Sequence, residues 1–181
     1  MTDAPLYETD PAAWRDHLAE GNRTQARKRV SVDGLILDQQ GRILLVNPRY
    51  KPGWDMPGGM AEANEPPLDT LRRELSEELG LGVGPRPCLL IIDWVPPHDP
   101  WDDLLNMIFH TRTLQPGQIS AIRLQDGELD EYRFFTPAQA DELLQPRTAR
   151  RLKSALHALK LGQVLYLQDG YPATGNARPE G

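Results

Sequence analysis

Three glutamates lie within five residues of one another in the stretch GGMAEANEPPLDTLRRELSEELGL, residues 58–81. If the stretch is helical, Glu74 and Glu78 are about 6 Å apart along the helix axis. Two carboxylates at that distance repel by roughly 0.7 kcal/mol in water and by roughly 3 kcal/mol at an effective dielectric of 20. Glu77 adds a third charge, so one carboxyl would have a raised pKa unless a cation lay among them. Oxygen-only ligands of this kind suit Mg²⁺ or Mn²⁺, with water and substrate phosphates completing the shell.

The spacing of the leucines predicts the helix that carries these acids. At 100° per residue the glutamates form one stripe beside an apolar stripe, which consists of Leu68, Leu71, Leu75 and Leu79. Pro66 and Pro67 suit the first turn, which needs no N–H donors. We expect Asn64 or Glu65 to cap the helix, and we expect Gly80 to end it in a left-handed conformation. The acids should therefore lie at the edge of the core and face a cleft.

A solvated acidic face is the simpler interpretation of three glutamates on a helix. Such a face needs neither the glycines of the preceding loop, nor an arginine directly before the first glutamate, nor a separate Glu65. The following positions, at their spacing, resemble the complete signature of the Nudix hydrolases: Gly59, Glu65, Arg73-Glu74-Leu75, Glu77-Glu78 and Gly80-Leu81. The preceding Trp54, Pro57 and Gly58 also resemble the lead-in to that signature.

The resemblance implies hydrolysis of a nucleoside diphosphate linked to another moiety, with Mg²⁺ or Mn²⁺ as the cofactor. It implies that Glu74, Glu77 and Glu78 ligate the metal and that the carbonyl of Gly59 adds a ligand. Its catalytic positions are Arg73, Glu74 and Glu77. Arg73 would fix the acidic side chains by charge-assisted hydrogen bonds, and Glu65 would hold the loop and the helix in register.

The residue that takes the proton of the attacking water is left open by the sequence. A glutamate of the helix is favoured, but in the resembling family the base can come from a later loop. The acids of that loop here are Glu128, Asp130 and Glu131. A polar turn without a catalytic role is the simpler interpretation of the loop.

Substrate-binding residues are suggested by charge and by aromatic side chains near the motif. Arg49 and Lys51 precede Gly58 in the same loop and could reach a terminal phosphate, although solvated charge explains them equally well. Trp94 could stack a base together with Trp101, but packing at the rim of the core is the simpler alternative. Pro96 lies fifteen residues after Leu81, a spacing similar to that of the subgroup that cleaves ADP-ribose.

The remaining chain predicts an α+β fold with a mixed sheet, similar to the α/β/α sandwich of the resembling family. Hydrophobic runs predict strands at 29–38, 43–48, 88–95, 104–114, 121–124 and 131–135. Capping and periodicity predict helices at 10–21, 136–144 and 148–160, while residues 50–59 are expected to form a loop. We divide the chain into a helical extension (1–28), a hydrolase domain (29–162) and a tail (163–181) that is frayed from Gly170 onward.

Composition narrows the class of partner. The net charge of −6 disfavours nonspecific binding to duplex nucleic acid or to an anionic membrane. The partner that the resemblance implies is a small-molecule nucleoside diphosphate derivative. Cys88, the only cysteine, is expected to be a buried strand thiol and suits a cytoplasmic location. A homodimer is common in the resembling family. The competing functions are a catalytically silent nucleotide-binding module and a purely structural domain.

Overall fold

One mixed β-sheet organises the protein, which is described by a computed structural model for residues 4–124 and 127–173. The strands run in the order β6-β2-β1-β5-β4-β7-β8, with β3 paired to β1 beside this path. β1 is parallel to β5, and β4 is parallel to β7; the other pairs are antiparallel. The strands are β1 Arg29–Asp38, β2 Ile43–Pro48, β3 Gly58–Met60, β4 Cys88–Val95, β5 Leu104–Leu114, β6 Leu129–Phe135, β7 Leu165–Gln168 and β8 Tyr171–Pro172.

Helices cover both faces of the sheet, which confirms the predicted α/β/α sandwich. The helices are α1 Leu6–Thr9, α2 Pro11–Thr24, α3 Pro67–Leu79, α4 Pro116–Ser120, α5 Pro137–Leu143 and α6 Pro146–Leu161. Alternation along β1 sends Val32 and Ile36 into the core beneath α3, and Leu35 into the core beneath α6. None of the helices in the described part of the chain is both long and apolar enough to cross a bilayer.

The loop before α3 contains a strand that the sequence did not predict. Within residues 50–59 we expected only a loop, but Gly58–Met60 forms β3 and pairs Gly58 with Asp33 of β1. Gly58 has a φ of +142°, and a Cβ there would lie 2.1 Å from the carbonyl oxygen of Val32. Only glycine permits this approach of two backbones, and the approach brings the loop against β1.

The caps of two helices differ from the prediction at one end each. Gly80 ends α3 with a φ of 64°, as expected. The N-cap of α3 is Pro66, which makes no side-chain hydrogen bond. Neither predicted cap is used, because the Glu65 carboxylate accepts hydrogen bonds from the side chains of Thr70 and Arg73 instead. In α2, Asp10 caps the first turn as predicted, but the helix continues past Gly21 to Thr24.

Two further expectations were wrong. Residues 121–124 are not a strand, since the chain forms the short helix α4 just before them and has no regular secondary structure at 122–124. Cys88 is exposed and not buried, because it begins β4 at the margin of the sheet and the buried part of the strand comes later.

The segment that we placed in a tail contributes strands to the sheet. β7 runs parallel to β4, and β8 pairs with β7, so the chain forms regular structure through Pro172 and is not frayed at Gly170 as we expected. The Gly170 amide donates to Oδ1 of Asp93 at 3.0 Å, and Nε of Arg151 donates to Oδ2 of the same carboxylate at 2.6 Å. This buried pair ties β4, α6 and the β7–β8 turn together. Residues 174–181 lie outside the described part of the chain, and the three domain boundaries stay predictions.

We predict that Asp93→Asn lowers the free energy of unfolding by about 3–5 kcal/mol, because it leaves the Arg151 cation buried without its counter-charge. Asp93 is fully buried and Arg151 is 7% exposed. The matched control is Asp141→Asn, which breaks the exposed pair between Asp141 of α5 and Lys153, a residue of the helix that carries Arg151. This substitution should lower the free energy of unfolding by at most about 1 kcal/mol. Urea unfolding measures both variants, and equal, small effects would contradict the role of the buried pair.

Candidate functional site

Arg73 is the hub of a network that joins α3 to the loop before it. Its Nε donates to Oε1 of Glu65 at 3.0 Å, and its Nη1 donates to Oε1 of Glu74 at 2.8 Å and to Oε2 of Glu77 at 3.1 Å. Its Nη2 donates to the Met60 carbonyl at 3.0 Å and to Oε2 of Glu65 at 3.1 Å. The guanidinium therefore binds three carboxylates at once and holds β3 against the helix. The structure therefore brings Arg73 together with Glu65, Glu74 and Glu77, the acids that we expected it to bind.

Glu78 lies deeper than the sequence predicted. It is 6% exposed, whereas we expected all three glutamates to face a cleft from the edge of the core. Its Oε2 accepts a hydrogen bond from the backbone amide of Gly58 at 2.9 Å. A Cβ on Gly59 would lie 2.5 Å from the carboxyl carbon of Glu74. The two loop glycines thus let the backbone pass directly against two of the acids.

The carboxyls of this cluster have shifted pKa values. Burial raises the pKa of Glu78 to about 8, and the neighbouring charges of Glu74, Asp33 and Glu128 add to the shift. Burial also raises the pKa of Glu74. In contrast, the hydrogen bonds from Arg73 lower the pKa of Glu65 to about 2. The two acids nearest the glycines are therefore the ones that gain most from an added positive charge.

The donor set fits a hard divalent cation, although it is not a closed cage. Within residues 4–124 and 127–173, no group of three or more His, Cys, Asp or Glu side chains converges as a ready-made metal site. Glu74 and Glu77 point to Arg73, while Glu78 is held by Gly58. Mg²⁺ does not require an all-protein cage, because one or two carboxylates, waters and substrate phosphates commonly complete its shell.

The three acids considered as alternative bases differ in their relation to this cluster, and Asp130 and Glu131 lie in β6 and not in a loop as predicted. The negative charge of Glu128 contributes to the raised pKa of both Glu74 and Glu78. Asp130 pairs with Arg49 at 2.6 Å, and Glu131 pairs with Arg133. Of the three alternative bases, Glu128 is the one that the electrostatics of the cluster involve.

The predicted substrate-binding residues are not all in one place. Lys51 lines a cavity beside Gly59, while Arg49 lies at the surface with Asp130. The indole Nε1 of Trp94 donates to Asp103 at 2.8 Å, and Trp94 follows Asp93 on β4, so its side chain points to the face away from α6. It does not line that cavity, and its predicted role is not supported by proximity.

The cavity beside Gly59 is the feature of the site that the sequence missed. Its volume is about 210 Å³, and its polar lining includes Ser31, Asp33, Lys51, Asp55, Asn106 and Arg151. Burial, together with the charge of Asp55, raises the pKa of Asp33 to about 7. Asp33, a polar residue within the predicted strand β1, was the available sequence signal for this cavity. However, the strands β1 and β5 that line it are separated by more than 70 residues in the chain. No local pattern indicates which side chains meet there.

Comparison with known proteins gives the family. A family model described as the NUDIX domain matches residues 27–158, which is more than half of the chain. An RNA pyrophosphohydrolase from Halorhodospira halophila is 43% identical over 54 residues, which are 30% of this chain and 30% of that protein. The phosphatase NudJ from Escherichia coli K12 is 28% identical over 125 residues, which are 68% of this chain and 74% of NudJ.

A solved structure supports the fold. The NUDIX domain of NrtR from Shewanella oneidensis, which was crystallised with ADP ribose, superimposes with a TM-score of 0.62 at 19% identity. The match covers 78% of this chain and 97% of that domain. Together with the network of Arg73, the buried Glu78 and the match of the family model over the core of the chain, this shows that the protein belongs to the Nudix hydrolase family.

Proposed function

We propose that the protein hydrolyses a pyrophosphate bond in a nucleoside diphosphate linked to another moiety, with the help of Mg²⁺ or Mn²⁺. The observation that carries the proposal is the pairing of Arg73 with Glu74 and Glu77 beside the buried Glu78. A solvated acidic face would have no reason to place one of its carboxylates in the protein interior, where ionisation is costly. The complete acid set therefore favours an enzyme.

Glu74, Glu77, Glu78 and the carbonyl of Gly59 would hold the metal. When bound, the ion supplies positive charge against the phosphate oxygens and makes a nearby water more acidic. Arg73 orients Glu74 and Glu77, and its other contacts keep Met60 and Glu65 in register with the helix. Such preorganised charge acts without reorganisation during the reaction.

Glu128 is the residue of the later loop best placed to accept the proton of the attacking water. Its charge acts on both Glu74 and Glu78, and its carboxylate is exposed. A helix glutamate, which the sequence favoured, is the alternative. Glu74 and Glu77 are both held by hydrogen bonds from Arg73, so their oxygens are already engaged in the network that positions the helix acids.

The competing function is a nucleotide-binding module that does not turn over its ligand. The structure of the NrtR domain with ADP ribose shows that this fold binds such a ligand. Incubation with ADP-ribose, dinucleoside polyphosphates, nucleotide sugars and nucleoside triphosphates, in Mg²⁺ or Mn²⁺, separates the two functions. The enzyme should release a phosphorylated product from at least one of them, whereas binding without release would favour the module.

The composition of the chain supports a proposal for its cellular location and for its class of partner. A single cysteine and a net charge of −6 fit a cytoplasmic enzyme that acts on a small molecule and not on duplex nucleic acid or a membrane. A homodimer is a further expectation from the family, and the mass in solution by light scattering tests it.

We predict that Glu78→Gln lowers turnover by roughly 10²–10³-fold, since it removes the negative charge that this carboxyl presents to a bound cation. The variant should fold, because the amide can still accept the hydrogen bond from Gly58 and no buried charge remains to be solvated. The control is Glu142→Gln, which neutralises an exposed glutamate on α5. Chromatography of the released product measures the rates of both variants. Near-normal turnover in Glu78→Gln as well as in the control would contradict the role assigned to Glu78.

We predict that Mg²⁺ stabilises the protein more at about pH 9 than at about pH 6. The pKa of Glu78 is about 8 in the folded protein and near 4.5 in the unfolded chain. Between these values the folded protein binds more protons, so the metal-free protein loses stability as the pH rises. Below pH 8 the cation must also displace this proton.

Melting temperatures with and without millimolar Mg²⁺ at the two pH values measure this effect. In Glu78→Gln the dependence on pH should be much smaller, because the amide does not titrate. Equal shifts in the wild type at both pH values, or no shift at either, would count against a cation at Glu78.

We predict that Glu128→Gln lowers turnover by roughly 10²-fold or more, in the range of general base catalysis. The matched control is Glu131→Gln, three residues further along the chain in β6, which only breaks the pair with Arg133. The ratio of the two rates at saturating substrate decides the outcome. If the two variants were equally active, the base would be a glutamate of α3.

A further inference from the structure

The cavity beside Gly59 is bounded by the sheet on one side and by α6 on another. β1 contributes Ser31 and Asp33, β5 contributes Asn106, and α6 contributes Thr148 and Arg151. Its volume of about 210 Å³ is below the roughly 300–1,000 Å³ of sites for drug-sized ligands. It can therefore hold one ring-sized moiety and not a whole nucleoside diphosphate derivative.

Asn106 presents an oxygen that has no partner within the described residues. The side chain is 2% exposed, and its Nδ2 donates to Oγ of Ser31 at 2.9 Å and to Oδ2 of Asp33 at 2.7 Å. Both amide hydrogens are used in this way, and Oδ1 is left as a buried acceptor without a hydrogen bond. Buried acceptors are rarely left unpaired, and Asn106 lines a cavity from which a donor of a bound molecule can approach this oxygen.

The charges around the cavity disfavour a phosphate as its occupant. Asp33 and Asp55 both line it. Lys51 is already paired with Asp55, and Arg151 is paired with Asp93. A phosphate placed in this cavity would thus meet carboxylates, and cations that are already paired. A neutral ring with N–H or O–H groups would instead meet hydrogen-bond acceptors.

The mouth of the cavity carries an aromatic ring. Tyr50 lines the cavity and is 71% exposed, and Lys51 Nζ lies 5.6 Å from the centre of its ring, so the other face of the ring is available to an incoming ring. The lining also includes Gly59, whose backbone passes against the Glu74 carboxyl. A ring held here would leave the phosphates of the same molecule beside the carboxylates of α3.

We infer that this cavity selects the substrate by a neutral ring at one of its ends, a nucleobase or a sugar, through an N–H or O–H group that donates to Oδ1 of Asn106. The inference rests on the proposed function, because the selected ring must belong to the molecule whose pyrophosphate is cleaved. Asn106 is then the residue that determines specificity, and the ring must carry a donor at the position that this oxygen reaches.

Matched pairs of ligands test the inference on the wild-type protein. The probes are methylene-bridged analogues, which cannot be hydrolysed, with binding measured by calorimetry in Mg²⁺. In the base arm, ADP-ribose is compared with its purine counterpart that lacks the 6-amino group, and the guanine compound with its hypoxanthine counterpart. In the sugar arm, UDP-glucose is compared with its deoxy derivatives, one hydroxyl at a time.

Loss of the donor should weaken binding by about tenfold or more in one arm, since the Asn106 oxygen is again left unpaired. The arm in which this happens identifies the ring as a base or as a sugar. If no pair differed by more than about twofold, or if none of the probes bound, the inference would be wrong.

Asn106→Leu identifies the acceptor. It removes the oxygen at similar volume, so the preference between the members of the discriminating pair should fall to within about twofold. The matched control is Thr111→Val, which alters an equally buried residue of the same strand whose Oγ1 also has no partner among the described residues. Thr111 lies on the other face, beside Gly34 and Leu71, and its substitution should keep the preference.

The same ligands separate this inference from the proposed hydrolysis. Binding that depends on Asn106, without product release from the hydrolysable parents, would support the cavity and remove the enzyme. Product release without any preference that depends on Asn106 would support the enzyme and overturn the selective role of the cavity.

Discussion

The interaction on which the site depends is the set of hydrogen bonds made by one guanidinium. Arg73 reaches Glu65, Glu74, Glu77 and the Met60 carbonyl at the same time, because its planar fork presents donors in several directions. A lysine would supply the charge but could not hold these groups at fixed angles. The loop, the helix and the acids are therefore positioned as one unit, and the rest of the sandwich keeps this unit against β1.

The backbone supplies the second constraint. Gly58 and Gly59 lie between β1 and α3 so closely that side chains there would collide with Val32 or Glu74. The approach buries Glu78 and raises its pKa to about 8. The site thus holds several carboxyl groups in a place with little access to water, where their ionisation is costly. A bound divalent cation is the simplest means of offsetting that cost. The stability of the fold and the proposed chemistry are linked at this residue.

Much of this could be predicted from the sequence, because the signals are local. The strands at 29–38 and 43–48 and the left-handed Gly80 follow from hydrophobic periodicity and turn chemistry. The pairing of Arg73 with the glutamates was expected from the resemblance to the family signature. What could not be predicted depends on contacts between distant segments. β3 exists only because β1 lies beside it, and Asn106 meets Ser31 only because β5 pairs with β1 in one register. The burial of Glu78 likewise depends on the loop that folds over it.

The direct test of the central claim is the anomalous scattering of Mn²⁺ in crystals of the protein. We predict a peak between the carboxylates of Glu74 and Glu78, within ligand distance of the Gly59 carbonyl. The account would be contradicted if crystals soaked at ion concentrations that support turnover showed no peak at these residues, or if the only peak lay elsewhere on the molecule.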